Sequence, residues 1–249
     1  MKAERLKFGG REWDADVRML SDIKDVVYDQ DWIESHRDEE IPLYYMYRGL
    51  YQTREEEKTM EEHHLRYDIT IIPPLTLGRE YVKTAGHYHP PVPGGELSYT
   101  EIYQVLEGTA EYLLQKVKNG IVEDVVLIHA TKGNIVIIPP NYGHITINKS
   151  KNNLKMSNWV SSEFTSIYEP MREKKGGAYY LLKDETILKN ENYTRVPELR
   201  RAKPTDPSLL NLRPGEDMYR LIETPERLSL IHISEPTRPL YISYAVFCL

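Results

Sequence analysis

Cysteine is almost missing from this chain: Cys248 is the single one in 249 residues. No internal disulfide is available, and a thiolate metal site is disfavoured. Phenylalanine is scarce too, with three against nineteen tyrosines. That balance suits half-wet pockets, where a ring packs while its hydroxyl finds a polar partner. Positive charge is not in excess. The formal net charge is −6 and the pI near 5.8, so the basic field that draws nucleic acid or anionic lipid is lacking. No apolar run is long enough to span a membrane, and no apolar N-terminal segment reads as a signal. A cytoplasmic protein without nucleic-acid or membrane partners is expected. No heptad and no repeat of about 20 to 50 residues is visible, which argues against a solenoid.

What is present suffices for one large domain or one domain with extensions. Hydrophobic residues make up 40% of the chain, enough for a substantial core. Residues 1–60 are rich in charge. A short helix is expected near Ser21–Val27, capped by Ser21 or Asp22, and a strand over Leu43–Tyr51. The charge run Arg54–His64 reads as a solvated helix or loop, with His63 and His64 as surface residues. From Leu65 the pattern changes to short strands separated by turn residues, the signature of an all-β barrel or sandwich. Strands are expected over Arg66–Ile72, Glu80–His89, Glu101–Leu106, Ala110–Gln115, Val122–His129, Ile135–Ile138, His144–Asn148 and Lys155–Val160. The third and fourth are expected to form a hairpin around Gly108.

The chemistry concentrates between Gly86 and Gly108, GHYHPPVPGGELSYTEIYQVLEG. His87 and His89 sit two apart, a spacing that places both imidazoles on one face of a strand. Glu101 opens the next strand, and His144 follows Asn134–Ile138. Three imidazoles and a carboxylate meeting in a small β-barrel make a site for a divalent metal with open positions. The eleven residues between His89 and Glu101 hold three prolines and two glycines, so they are expected to form an ordered loop over the barrel mouth. Glu96, inside that loop, is the rival ligand; Glu101 is preferred because it starts a strand.

The framing of these residues resembles the cupins. His87 and His89, then Glu101 followed by six residues and Gly108, match the first cupin motif. Gly133, Pro139, His144 and Asn148 stand at the places of the second. Eleven residues between His89 and Glu101 exceed the usual cupin spacing, and Asn141 stands where glycine is common. Asparagine tolerates the left-handed conformation, so that turn survives. The resemblance implies a double-stranded β-helix, or jelly-roll barrel, with extensions at both ends. The expected layout is an N-terminal extension over 1–60, the barrel over 61–182 and a C-terminal extension over 183–227. Residues 228–249 resemble a translated sequencing-adaptor read-through, so the natural chain is expected to end or diverge near Arg227; a genuine apolar C-terminal strand is the alternative.

Within the cupins, TAGHYHP (Thr84–Pro90), Glu101-x-Tyr103 and PPNYGH (Pro139–His144) look like the archaeal, cupin-type phosphoglucose isomerases. The likeness runs from about Arg66 to Tyr180. It implies interconversion of glucose 6-phosphate and fructose 6-phosphate by a homodimer with one metal per subunit. His87, His89, Glu101 and His144 would be the metal ligands. The metal would be Fe²⁺, Mn²⁺, Ni²⁺ or Zn²⁺, since nitrogen and carboxylate donors suit all four. Glu101 would be the catalytic base, although a metal-assisted hydride shift would need none. Tyr103, two residues on, would hydrogen-bond a substrate hydroxyl. Thr70, Thr84 and Gly86 would hold the phosphate, with Tyr168 and Tyr179 contributing. Lys174 and Lys175 read as a solvated charge run. Two other readings use the same motif: a metal-dependent dioxygenase, for which the threonine- and tyrosine-framed pocket is unusually polar, and a non-catalytic sugar-binding cupin, in which ligands are often lost.

Overall fold

Alternation of side chains along the strands decides the architecture. The computed structural model describes residues 5–232. In chain order the barrel strands are β1 (Asp16–Met19), β2 (Pro42–Tyr47), β3 (Leu65–Ile72), β4 (Glu101–Glu107), β5 (Thr109–Lys118), β6 (Ile121–Thr131), β7 (Ile135–Ile138), β8 (Tyr142–Ile147), β9 (Leu154–Ser161) and β10 (Arg200–Ala202). They form a six-stranded sheet, β7-β4-β9-β3-β2-β1, and a four-stranded sheet, β8-β5-β6-β10. Pairing is antiparallel throughout, except for β6 with β10. This is an all-β cupin barrel.

Neighbours on one strand serve different cores, as a period of two requires. On β5, Tyr112 and Leu114 face inward and pack with Tyr103, Val105, Val126 and Val136 between the sheets. Leu113, between them, faces outward and packs with Val125, Leu127, Ile145 and Tyr179. The outer face of the six-stranded sheet carries Tyr67, Ile102 and Trp159, covered by Leu212, Met218 and Leu221 from the C-terminal part of the chain. Trp159 donates its Nε1–H to the Met218 carbonyl at 3.0 Å. A second cover comes from Phe8, whose ring lies 5.0 Å from that of Tyr219.

Three expectations need correction. The first 60 residues are not only an extension, because β1 and β2 complete the six-stranded sheet. Glu101–Glu107 and Thr109–Lys118 do not form a hairpin. They lie in different sheets, and Gly108 turns the chain from one to the other with φ +78°. A Cβ there would sit 2.4 Å from the Asn153 carbonyl oxygen. The true hairpin joins β5 to β6 through Asn119 (φ +50°) and Gly120 (φ +76°), the Asn-Gly pair that a type I′ turn favours. Glu80–His89 is not one strand either. A two-residue strand at Glu80–Tyr81 gives way to single bridges at Lys83, His87 and Tyr88, because Gly86 interrupts the run with φ +76°.

The charge run is the helix α1 (Arg54–Glu62), opened by a Thr53–Glu56 capping box, and His63 and His64 are exposed. Of the tail over 228–249, residues from 233 onward, with Cys248, lie outside the described residues; Leu228 and Ile231 are buried in the outer cluster. No helix among the described residues is long and apolar enough to cross a membrane.

Gly108→Ala is expected to destabilise the fold by roughly 1–3 kcal/mol, through the strained φ and the backbone clash. Urea denaturation reads this directly, and an unchanged midpoint would contradict the role given to the turn.

Candidate metal centre

The centre is assembled from both sheets and the segment between them. His87 and His144 exchange backbone hydrogen bonds, His87 N–H to the His144 carbonyl at 3.2 Å and the reverse at 3.0 Å. That bridge sets their rings 4.4 Å apart. His89 follows two residues later on the same side, its ring 5.1 Å from that of His87. The spacing argument therefore holds although the segment is not a regular strand. Glu101 opens β4, and one of its oxygens, Oε2, lies 3.3 Å from Nε2 of both His89 and His144. The Nε2 atoms of His87 and His89 are 3.2 Å apart. One donor atom from each of the four residues lies within 4.8 Å of the others.

These donors fit a cation. Donors about 2.1 Å from one metal would stand roughly 3.0–3.4 Å from one another, for angles between octahedral and tetrahedral. The His87–His89, His89–Glu101 and His144–Glu101 spacings fall in that range; across the whole set they reach no more than 4.8 Å. Glu101 Oε2 is buried and finds no hydrogen bond, although two imidazole nitrogens face it. A buried carboxylate oxygen left without a hydrogen bond among imidazole nitrogens turned toward it is an arrangement that a shared cation satisfies. The backbone fixes the required tautomer at His89, whose Nδ1–H donates to the Tyr99 carbonyl at 2.9 Å, leaving the Nε2 lone pair facing the cluster. Tyr99 belongs to the proline-rich loop, which Asn141 pins through Ser98 on both sides (2.9 and 2.7 Å). Glu96, the rival ligand, is exposed on that loop, away from the cluster.

Burial keeps two of the imidazoles neutral. His87 and His144 are held well below the usual histidine range by desolvation first and by neighbouring imidazoles second; Arg48 and Arg18 add to the effect at His87. Tyr103 is pushed well above the ordinary tyrosine value, mainly by burial and then by the Glu101 carboxylate. Its hydroxyl, 3.2 Å from His144 Nε2, therefore stays protonated at neutral pH.

The cluster opens into a cavity of about 380 Å³ whose wall includes His87, His89, Glu101, Tyr103, Thr70 and Tyr168. The ring of Tyr168 stands 5.5 Å from that of His87. Three of the expected substrate residues lie elsewhere. The Thr84 hydroxyl accepts from the Thr146 N–H at 3.0 Å and is outside the cavity wall. Gly86 presents its open side to Met171 and Ile145. Tyr179 packs on the outer face of the four-stranded sheet, its hydroxyl donating to the Pro197 carbonyl at 2.8 Å and accepting from the Leu199 N–H at 3.1 Å. The chain after Tyr168 wraps the barrel's outside instead of returning to its mouth. Sequence reasoning also missed Arg18, Arg48, Arg66 and Asp68, all in the cavity wall. Thr70 came from the family resemblance; Arg66 and Asp68 alternate with it on β3, so the period of two, applied to that strand, could have found them.

Fold and cluster together define a cupin with a three-histidine, one-carboxylate group able to hold a metal. The glucose-6-phosphate isomerase family model matches residues 17–198, and the chain belongs to that family. It is 32% identical over 132 residues to glucose-6-phosphate isomerase of Thermococcus litoralis, covering 53% of this chain and 62% of that one. With the corresponding protein of Pyrococcus furiosus the identity is 30% over the same shares. The chain thus spans about three-fifths of the length of the curated relatives it matches. Likeness to solved structures such as oxalate oxidase in complex with glycolate is slight, at 17% identity and a TM-score of 0.34 over 43% of this chain and 47% of that one.

Two outcomes follow from the cluster. His89→Ala or His144→Ala should lower bound divalent metal from about one per chain to a small fraction of that; stoichiometric metal in either variant, measured by plasma mass spectrometry, would count against the ligand set. The pH dependence has a definite sign. Histidines held below their unfolded value of about 6.5 stabilise the fold above that pH, and the contribution is lost as pH falls toward the folded value. Metal-free protein should therefore unfold at lower urea at pH 5.5 than at 7.5, less steeply so in His87→Gln. Equal slopes in the two proteins would contradict the assignment at His87.

Proposed function

We propose that this chain is a metal-dependent aldose–ketose isomerase that interconverts glucose 6-phosphate and fructose 6-phosphate. The observation that carries the reading is the convergence of His87, His89, Glu101 and His144 at the head of a polar cavity in a chain of the glucose-6-phosphate isomerase family. The reaction moves a hydrogen between C1 and C2 while the carbonyl changes place. A divalent cation held by those four residues would supply a Lewis acid that polarises the carbonyl and stabilises the charge of the enediolate.

The residues divide the remaining work. Glu101 is the base: its carboxylate, buried among imidazoles and 4% exposed, takes the proton from one carbon and returns it to the other. Its ligand role draws on the same group, so the two functions compete for one carboxylate. Tyr103 keeps its proton and donates a hydrogen bond to a sugar oxygen. Thr70 and Tyr168 line the cavity where the rest of the sugar phosphate would lie. Loop residues 90–100, pinned at Asn141, orient His89 through the Tyr99 carbonyl. Three imidazoles and a carboxylate suit Fe²⁺, Mn²⁺, Ni²⁺ or Zn²⁺. On this reading the chain is a cytoplasmic homodimer, as the motif resemblance implies.

A dehydrogenase-coupled assay from fructose 6-phosphate tests the proposal. Isomerisation should vanish with chelator and return with divalent metal, and Glu101→Gln should lower kcat by about 100-fold or more. Isomerisation indifferent to chelator, or oxygen uptake in its place, would contradict it.

A further inference from the structure

The residue between the two motif histidines faces away from them. His87 and His89 line the cavity at the metal cluster, whereas Tyr88 lines a second cavity, of about 320 Å³, on the outer side of the four-stranded sheet. Side chains that alternate send neighbours to opposite faces, so one short segment carries two imidazoles on its inner side and a tyrosine ring on its outer side. Val117, Pro170 and Tyr193 are among the other residues around that outer cavity. Because the ring borders open space, close packing on every side does not hold it. Specific contacts must.

Three such contacts are present. The ring lies across Gly143 on β8, the residue before His144. A Cβ on Gly143 would stand 2.5 to 2.8 Å from three carbons of that ring. The φ of Gly143 is not left-handed, so it is the ring and not the backbone that calls for glycine there. Beyond Gly143, the Tyr88 phenol oxygen accepts from Gln115 Nε2 at 2.5 Å, and Gln115 on β5 is the cross-strand partner of Gly143. Gln115 is itself fixed. It is 1% exposed, donates its other N–H to the Tyr193 hydroxyl at 3.0 Å and accepts from the Ala178 N–H at 2.6 Å. The third contact is in the backbone, where the Tyr88 N–H donates to the Ile167 carbonyl at 2.9 Å and the Ile167 N–H returns a bond at 2.8 Å.

These contacts bear on the ligands because His87 to His89 belong to no regular strand. A segment held by single bridges can roll about its own axis, and a roll would swing both imidazoles off their common point together. With the ring seated on Gly143, the same roll must drive it into β8 or break its bond to Gln115. We propose that Tyr88 is a positioning residue of the metal centre, its ring fixing the roll of the segment that presents His87 and His89 to the cation. The inference rests on the metal-dependent reading of the site, and its test reads metal binding before turnover.

Competition between the full chain and a chelator for Co²⁺ gives the affinity, and the visible absorption of bound Co²⁺ reports the ligand geometry. Tyr88→Ala should bind Co²⁺ about tenfold more weakly or worse, with a shifted spectrum, as for other outer partners of metal-bound histidines. Tyr88→Phe, which keeps the ring, should recover most of that affinity. Gly143→Ala should weaken binding about as much as Tyr88→Ala, yet add less than about twofold in the Tyr88→Ala background, where the ring its Cβ would meet is gone. Tyr179→Phe, which removes a hydroxyl bonded to Pro197 and Leu199 in the same outer layer, should bind Co²⁺ as the parent does and is the control for lost stability. Should Tyr88→Ala fail to fold, Tyr88→Leu takes its place in the cycle. The proposal falls if the ring-deleted variant binds Co²⁺ within about twofold of the parent with the same spectrum, or if the effects at Tyr88 and Gly143 simply add. It also falls if Tyr179→Phe is weakened equally, or if the parent binds no Co²⁺. Variants that behave as expected in a chain unable to isomerise fructose 6-phosphate would overturn the isomerase reading and leave the role of Tyr88 standing. Chelator-sensitive isomerisation with indifferent Tyr88 and Gly143 variants would do the reverse.

Discussion

Three imidazoles and a carboxylate packed inside a barrel lose their hydration, and only a cation shared among them restores what burial takes away. His89, Glu101 and His144 are each 5% exposed or less. The desolvation that holds His87 and His144 neutral also keeps their lone pairs available for a metal. Neutral imidazoles alone would leave the buried carboxylate uncompensated. Everything nearby serves to hold the donors in register. The His87–His144 bridge aligns two rings, the Tyr99 carbonyl orients the third, and β4 delivers Glu101 beneath them.

That arrangement needs a rigid support, which comes from covering both sheets on the outside. The four-stranded sheet is backed by Met171, Ala178, Tyr179 and Tyr193, and the six-stranded sheet by the segment from Leu210 to Ile231. Gln115 ties one of these covers to the barrel, donating to the Tyr193 hydroxyl at 3.0 Å and accepting from the Ala178 N–H at 2.6 Å. With both outer faces sealed, the inner faces are free to carry polar groups toward the cavity. Imidazoles and a carboxylate gather at one end of the cavity, and guanidinium groups also line its wall.

How much of this the sequence made legible depends on how local each feature is. His87 and His89 were readable because two-residue spacing survives even where Gly86 breaks the ladder. Glu101 was separable from Glu96 because strand and loop differ in composition. The cupin barrel followed from two motifs that constrain separate strands at once. Gly108 misled, since a left-handed glycine between two apolar runs looks the same whether the chain returns along its own sheet or crosses to the other. Asn119-Gly120, the actual hairpin turn, carried its signal plainly. Tyr179 was misplaced because the route of the chain after Tyr168 is set by packing against Leu113 and Ile145, distant residues that no local pattern reveals. The arginines were hardest: Arg18 and Arg66 lie on separate strands, Arg48 follows the end of a third, and they share one cavity wall only when the six-stranded sheet is assembled.

Four side chains at the head of this cavity are arranged to hold one cation. Anomalous diffraction from crystals grown with Mn²⁺ or Zn²⁺, collected at the metal edge, tests it most directly. A single strong peak is expected about 2.0–2.3 Å from the ε2 nitrogens of His87, His89 and His144 and from a Glu101 oxygen. A peak elsewhere, or imidazoles hydrogen-bonded to one another with no peak among them, would contradict it.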